Sequence, residues 1–187
     1  MEIKNRFTKK LKHYDLPCHA HELTFSCYRG RNFFGKERVC QWLAESIDKA
    51  RAKLNFALWA YVFMLNHAHI LIYPLQENYS IAQIERLIKQ PVAQKAINWL
   101  KKNNPIGLKQ LETGLQSRKH RFWQKGTGYD RNIIKMDTLI NSVKYIHNNP
   151  VKKNLVELPQ QWYYSSAVAW MDLTDEPLKI DKDSWPR

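Results

Sequence analysis

The chain has 187 residues, 44% of them hydrophobic and 12% aromatic, enough apolar material for one core but too little length for two full-sized domains. Thirty Lys and Arg against 17 Asp and Glu give a net charge of +13, which points to a polyanionic partner, nucleic acid first. No run approaches the roughly 20 apolar residues of a membrane span, so no membrane partner is expected; three cysteines without a Cys-x-x-Cys pair fit a reduced, cytoplasmic setting rather than a disulfide scaffold.

The opening residues to Asp15 are basic and lack the apolar run of a signal peptide; they read as a tail. From His21 to Tyr28, Leu23, Phe25 and Cys27 alternate with Glu22, Thr24 and Ser26, the period of a half-buried strand. Val39, Leu43, Ile47, Ala50 and Leu54 then recur every three or four residues and predict an amphipathic helix. Phe56 to Leu65 is almost continuously apolar and predicts a strand in the middle of a sheet. Asn66 marks a tight reversal into an alternating strand from His67 to Tyr73, which Pro74 ends.

Ser80 and Gln83 fit a capping box for a second helix running through Leu100, which Pro91 should break or kink. Asn103 to Gly114 reads as a loop, and Arg121 to Ile134 as extended pieces interrupted at Gly126 and Gly128. Asp137 is expected to cap a third helix ending just before Pro150. A packed, Trp-rich stretch follows, loosening from about Thr174. Strand, helix, strand, strand, helix, strand is the order of an α+β, ferredoxin-like antiparallel sheet with helices on one face; the tyrosine-bearing helix comes after it and the second face stays open. The reading is a single domain over 1–187, with its core at about 16–170.

Two features carry chemistry. Residues two apart in a strand project together, so His67 and His69 stand side by side on the open face while Ala68, Ile70 and Ile72 face the helices. Two imidazoles so placed could share a divalent ion. His19 and His21 repeat the spacing, but at a strand edge rather than inside an apolar hairpin, and the later pair is favoured. On the last helix, Leu139, Ile140, Val143 and Ile146 form an apolar stripe, and Tyr145 falls nearly opposite it among Asn141, Ser142, Asn148 and Asn149. Asn149, one turn on, could offer an amide oxygen beside the tyrosine, and His147 reads as structural or as a hydrogen-bond donor.

The stretch Ala60 to Ile72, AYVFMLNHAHILI, resembles the His-hydrophobe-His motif of HUH single-strand DNA nucleases. Tyr145 to Val156, YIHNNPVKKNLV, resembles the tyrosine helix of IS200-like transposases and, best, their REP-associated relatives. HELTFSCYRG at His21 to Gly30, FWQKGTGYDRNI at Phe122 to Ile133 and QWYYSSA at Gln161 to Ala167 look like the same group, in order, across roughly Leu16 to Trp170. Two positions depart from the pattern: the hydrophobe between the histidines is the small Ala68, and Leu65 stands where a proline is often found.

The resemblance implies a ferredoxin-like transposase that binds single-stranded hairpin DNA of the repetitive extragenic type and cleaves and rejoins it. Its nucleophile carries over onto Tyr145 and its metal ligands onto His67, His69 and Asn149, with Mg²⁺ or Mn²⁺ as the ion. Such a protein would act at the nucleoid, as a monomer or a homodimer. The basic runs Arg118, Lys119 and Arg121, and Lys152 and Lys153, are the candidate DNA contacts. The competing reading is a non-catalytic hairpin DNA- or RNA-binding module, since RNA recognition domains share this sheet and Lys125 to Tyr129 resembles part of their signature, with Thr127 where an aromatic should stack.

Overall fold

A computed structural model describes residues 13–126, 128–173 and 177–186. The basic tail expected over the first residues lies largely outside them, as do Thr127 and the Thr174 to Glu176 stretch. Among the described residues four strands, β1 (Ala20–Ser26), β2 (Phe56–Phe63), β3 (His67–Pro74) and β4 (Tyr129–Ile133), form one antiparallel sheet in the order β2-β3-β1-β4. With α1 (Glu37–Leu54) after β1 and α2 (Ile81–Asn103) after β3, this is the expected ferredoxin-like arrangement.

The period of the strands sorts their residues into two cores. Leu23, Phe25, Ala68, Ile70 and Ile72 pack with Val39, Leu43 and Ile47 of α1 and with Ile84, Ile88 and Val92 of α2. On the second face, Leu71, Val62 and Trp59 pack with Leu139, Val143 and Ile146 of the helix Met136–Lys152, called α4 here after a four-residue α3 (Pro105–Leu108). Each such aliphatic side chain contributes about 1.5–3 kcal/mol on burial. That face is therefore not wholly open, because α4 closes its β2-β3 half.

Three local expectations change for identifiable reasons. Pro91 does not break α2, which runs on to Asn103. Proline removes the N–H that would bond the Leu87 carbonyl, and the Ser46 hydroxyl on α1 reaches that oxygen at 3.1 Å and the Ile88 oxygen at 2.8 Å. Likewise α4 continues past Pro150 to Lys152, and its N-cap is Lys135, with Asp137 in the first turn, where an acid favours the helix dipole. Ser80, by contrast, caps α2 as expected, accepting from the Gln83 N–H.

β2 is an edge strand, not a central one. It is nevertheless buried along its whole length, and a bulge at Leu58 and Ala60 turns Trp59 and Ala60 both toward the second face. Its free edge is sealed by chain from the carboxyl-terminal region. The Phe63 N–H bonds Tyr164 O at 2.9 Å, the Ser166 N–H bonds Tyr61 O at 3.0 Å, and Asp181 exchanges two 2.8 Å bonds with Leu58. Trp185 packs on Trp59 and Trp170, and Leu178 is buried, so the described part of the stretch expected to be loose, residues 177–186, is packed.

Gly128 leads into β4 at φ +82°, and a Cβ there would fall 2.3 Å from the carbonyl oxygen of Thr24 on β1. No side chain fits without pushing β4 off β1. Gly128→Ala should therefore cost roughly 2–5 kcal/mol, the left-handed penalty and overpacking together. Urea unfolding checks this; a variant as stable as the parent would show that β4 docks without the close approach.

Candidate active site

Strand register builds one side of the site. Tyr129, Thr24, His69 and Val62 lie in one row across the four strands, and Arg131, Glu22 and Leu71 in the next. Residues paired across strands share a face, so both histidines, Thr24, Glu22 and Arg131 all stand on the α4 side. His67 and His69 have ring centroids 4.9 Å apart and meet edge to face. The His67 Nδ1–H donates to Asn66 Oδ1 at 2.7 Å, and His69 Nδ1 lies 2.9 Å from the Thr24 hydroxyl. Each ring is thus anchored through Nδ1, leaving Nε2 for something else.

Burial lowers the pKa of His67, helped by the charge of Lys153, and burial followed by the neighbouring His67 lowers that of His69 to about 4. Both rings are neutral at physiological pH. His19 and His21 differ in kind. His21 is fully buried on the other face and commits both nitrogens, 2.8 Å from Asp130 and 2.8 Å from the Tyr79 hydroxyl, while His19 meets Asn132. That pair is not brought together as a site.

Helix α4 builds the other side. Tyr145 is 43% exposed, with its ring edge to face with His69 at 5.5 Å and the Lys152 ammonium 4.8 Å from its centroid. Asn149 is buried, and its amide nitrogen donates to the Tyr145 carbonyl at 3.0 Å, so its oxygen is the end left over. The expected apolar stripe holds at Leu139, Val143 and Ile146, but Ile140 is exposed, and Ser142 and Asn149 turn inward instead. His147 is buried against the Ser166 hydroxyl at 2.9 Å, a structural role as expected.

Between sheet and helix lies a cavity of about 520 Å³ bounded by His69, Tyr145, Tyr129 and Asn141. Along its floor Arg131 spends one nitrogen, Nη2, on both buried Glu22 and Ser142, each at 2.6 Å. Sequence reasoning missed Glu22, Thr24, Tyr129, Arg131 and Asn141 as a group. The alternation along β1 already turned Glu22 and Thr24 to one side; what was lacking was the register that sets them beside His69.

The candidate DNA contacts divide. Lys152 and Lys153 adjoin the tyrosine and histidines. Arg118 and Arg121, with Lys119 between them in sequence, line a different groove, along α2 on the opposite side of the sheet, with Arg86, Lys89 and Lys125. Among the described residues of the segment compared with an RNA-recognition signature, only Tyr129 lies in a strand, and α4 covers part of the face on which bases would stack. Among the described residues no three His, Cys, Asp or Glu side chains gather as a metal site, so an ion at His67 and His69 would need a ligand of another type.

The fold and the paired features together define a class: a ferredoxin-like α+β protein with a His-x-His strand facing a tyrosine-bearing helix. The solved structure of a REP-associated tyrosine transposase bound to a REP hairpin matches over 96% of this chain and 95% of that one, with a TM-score of 0.69 and 18% identity. The two share a fold. A crystal structure of a proposed transposase from Deinococcus radiodurans matches 79% of this chain and 97% of its own at a TM-score of 0.45 and 15% identity. No protein-family model and no curated protein sequence matches the chain. No described helix is long and apolar enough to cross a membrane.

The buried neutral histidines set a pH dependence. His69 and His147 both fall from 6.5 to about 4 in the folded chain, so the unfolded chain takes up protons first as pH drops. Stability is fully present above about pH 6.5 and is lost toward pH 4, by roughly 3 kcal/mol per ring at most. His147→Gln should flatten the slope measured by denaturant unfolding across that window; an unchanged slope would remove His147 from the account.

Proposed function

We propose that this chain is a tyrosine transposase that cleaves and rejoins single-stranded DNA beside a hairpin, as the resemblance of its motifs implies. The observation that carries the reading is the juxtaposition of Tyr145 and His69 within one chain, their rings 5.5 Å apart on facing elements. Two fragments distant in sequence and separately resembling the same nucleases meet where a nuclease would need them. The shared fold with a transposase bound to a REP hairpin supports the same partner.

The residues fit a divalent ion. Each histidine is neutral, held at Nδ1 and, among the described residues, without a partner at Nε2, the form in which imidazole ligates a metal. His67, His69 and the amide oxygen of Asn149 would hold Mg²⁺ or Mn²⁺, and the bound ion supplies charge that polarises a phosphate oxygen. The chain's own groups do the rest. The Tyr145 oxygen attacks phosphorus as the bond to the 3′ oxygen breaks; the phenol proton is given up, the departing 3′ oxygen takes one, and a 5′-phosphotyrosine remains. One phosphoester replaces another, so attack by a 3′ hydroxyl reverses the step and rejoins strands without an external energy source. Lys152, over the tyrosine ring, and Lys153 are placed to hold the phosphates that approach the site.

Incubation with hairpin DNA carrying unpaired arms and Mn²⁺ should give a covalent adduct on a denaturing gel, mapped by peptide sequencing to Tyr145. Tyr145→Phe should abolish the adduct while leaving Mn²⁺ affinity and DNA binding close to the parent's, whereas the His67→Ala, His69→Ala double variant should lose Mn²⁺ binding. An adduct on another tyrosine, or one that survives in the Phe variant, would sink the assignment.

Salt separates the two basic sets. Binding to hairpin DNA should weaken steeply with added salt, and neutralising Lys152 and Lys153 should lower the slope of log affinity against log salt by about 1 for each phosphate no longer neutralised. Removing Arg118, Lys119 and Arg121 should lower it further only if the α2 groove also touches the duplex; no change in either variant would leave the charge as a solubility surface.

A further inference from the structure

The cavity beside Tyr145 is larger than a phosphate needs, and its walls are of another chemistry. Moving from the tyrosine away from His67, one meets Asn141, then Tyr129 and Arg131 on β4. Asn141 stands one helical turn before Tyr145, as Asn149 stands one turn after, so the tyrosine divides a metal side from a second side. Tyr129 is 46% exposed, a π-face at the edge of the sheet with a Thr24 hydroxyl next to it in the row. Asn141 brings both a donor and an acceptor.

Arg131 is the fixed point. Buried Glu22 and the Ser142 hydroxyl both bond its Nη2, which restrains the guanidinium, and its Nε is shielded from solvent yet has no hydrogen-bond partner among the described residues. A flat, restrained donor fork, an aromatic face and an amide around about 520 Å³ are what recognition of a planar, polar, unpaired ring system requires. A phosphate alone would leave Tyr129 and Asn141 without a role.

We infer that this cavity binds one unpaired nucleobase of the DNA strand, next to the attacked phosphate, stacked on Tyr129 and read by Arg131 and Asn141. The inference rests on Tyr145 being the group beside the strand. It makes the cavity the specificity pocket of the site. Arg131 can only donate, and two neighbouring acceptors such as guanine O6 and N7 suit it better than adenine, which sets a donor amino group beside N7, so guanine is favoured over adenine at this position.

The test uses the full chain carrying Tyr145→Phe, so that binding is read without turnover, and hairpin oligonucleotides in which each unpaired nucleotide in turn is made abasic. Fluorescence anisotropy should find one position where loss of the base weakens binding roughly tenfold or more. Tyr129→Ala and Asn141→Ala, each added to Tyr145→Phe, should cause a similar loss on intact DNA and no further loss on that abasic DNA, while Tyr129→Phe retains binding. Adenine at the same position should bind more weakly than guanine.

Losses that simply add, or an abasic scan that is flat over every unpaired position, overturn the pocket. Adduct formation by the parent chain is a separate measurement, so a protein that never forms the adduct but still shows the coupled loss keeps the base pocket and loses the nuclease reading.

Discussion

The candidate site as a whole hangs on which way β3 faces. The strand is buried on both sides, yet its two sides do different work: Ala68, Ile70 and Ile72 fill the core beneath α1 and α2, and His67 and His69 reach the other face. Because strand side chains alternate strictly, a slip of one residue would send both imidazoles into an apolar core at several kcal/mol each and lift three aliphatic side chains out of it. A tight hairpin guards against the slip, closed at its neck by the Met64 N–H on the His67 carbonyl at 2.8 Å. The register with β1 guards against it again, since Leu23 and Phe25 must enter the same core as Ile70. The small Ala68 costs the hairpin nothing visible, being fully buried opposite Phe25.

Helix α4 meets that face with the same economy. Its apolar side, Leu139, Val143 and Ile146, is what docks it on β2 and β3, and the docking leaves Tyr145 half-exposed at the seam. The Arg131 bridge between Glu22 and Ser142 ties β1, β4 and α4 at a point one turn from the tyrosine. Burying a lone carboxylate is costly, so Glu22 is tolerable only with its cation in place. The site is therefore assembled by packing and held to position by charge.

Much of this was legible in the sequence because it rests on local periods. Strand alternation placed His67 and His69 on one side, helical phase set Tyr145 apart from the stripe, and the order of elements matched the sheet. What was not legible depends on contacts between distant segments. Nothing near Pro91 announces that Ser46 will accept the burden of an unbonded carbonyl. The apolar run of β2 reads as a central strand because it is buried on both faces, and only the return of Ser166 and Asp181 to its margin shows it to be the edge. Glu22, Arg131 and Asn141 look like ordinary surface residues until β4 is laid against β1.

The sealing of β2 also has a temporal side. Leu58 waits for Asp181, 123 residues further along, before its backbone bonds are complete. At ribosomal rates of about 5–20 residues per second, that is an interval of roughly 6–25 s before the Leu58 end of the apolar margin gains its native cover. An uncovered strand edge is a template on which another chain can pair. The carboxyl-terminal return is thus a late closure, a part of the chain that can finish the sheet only after nearly all the rest has been made.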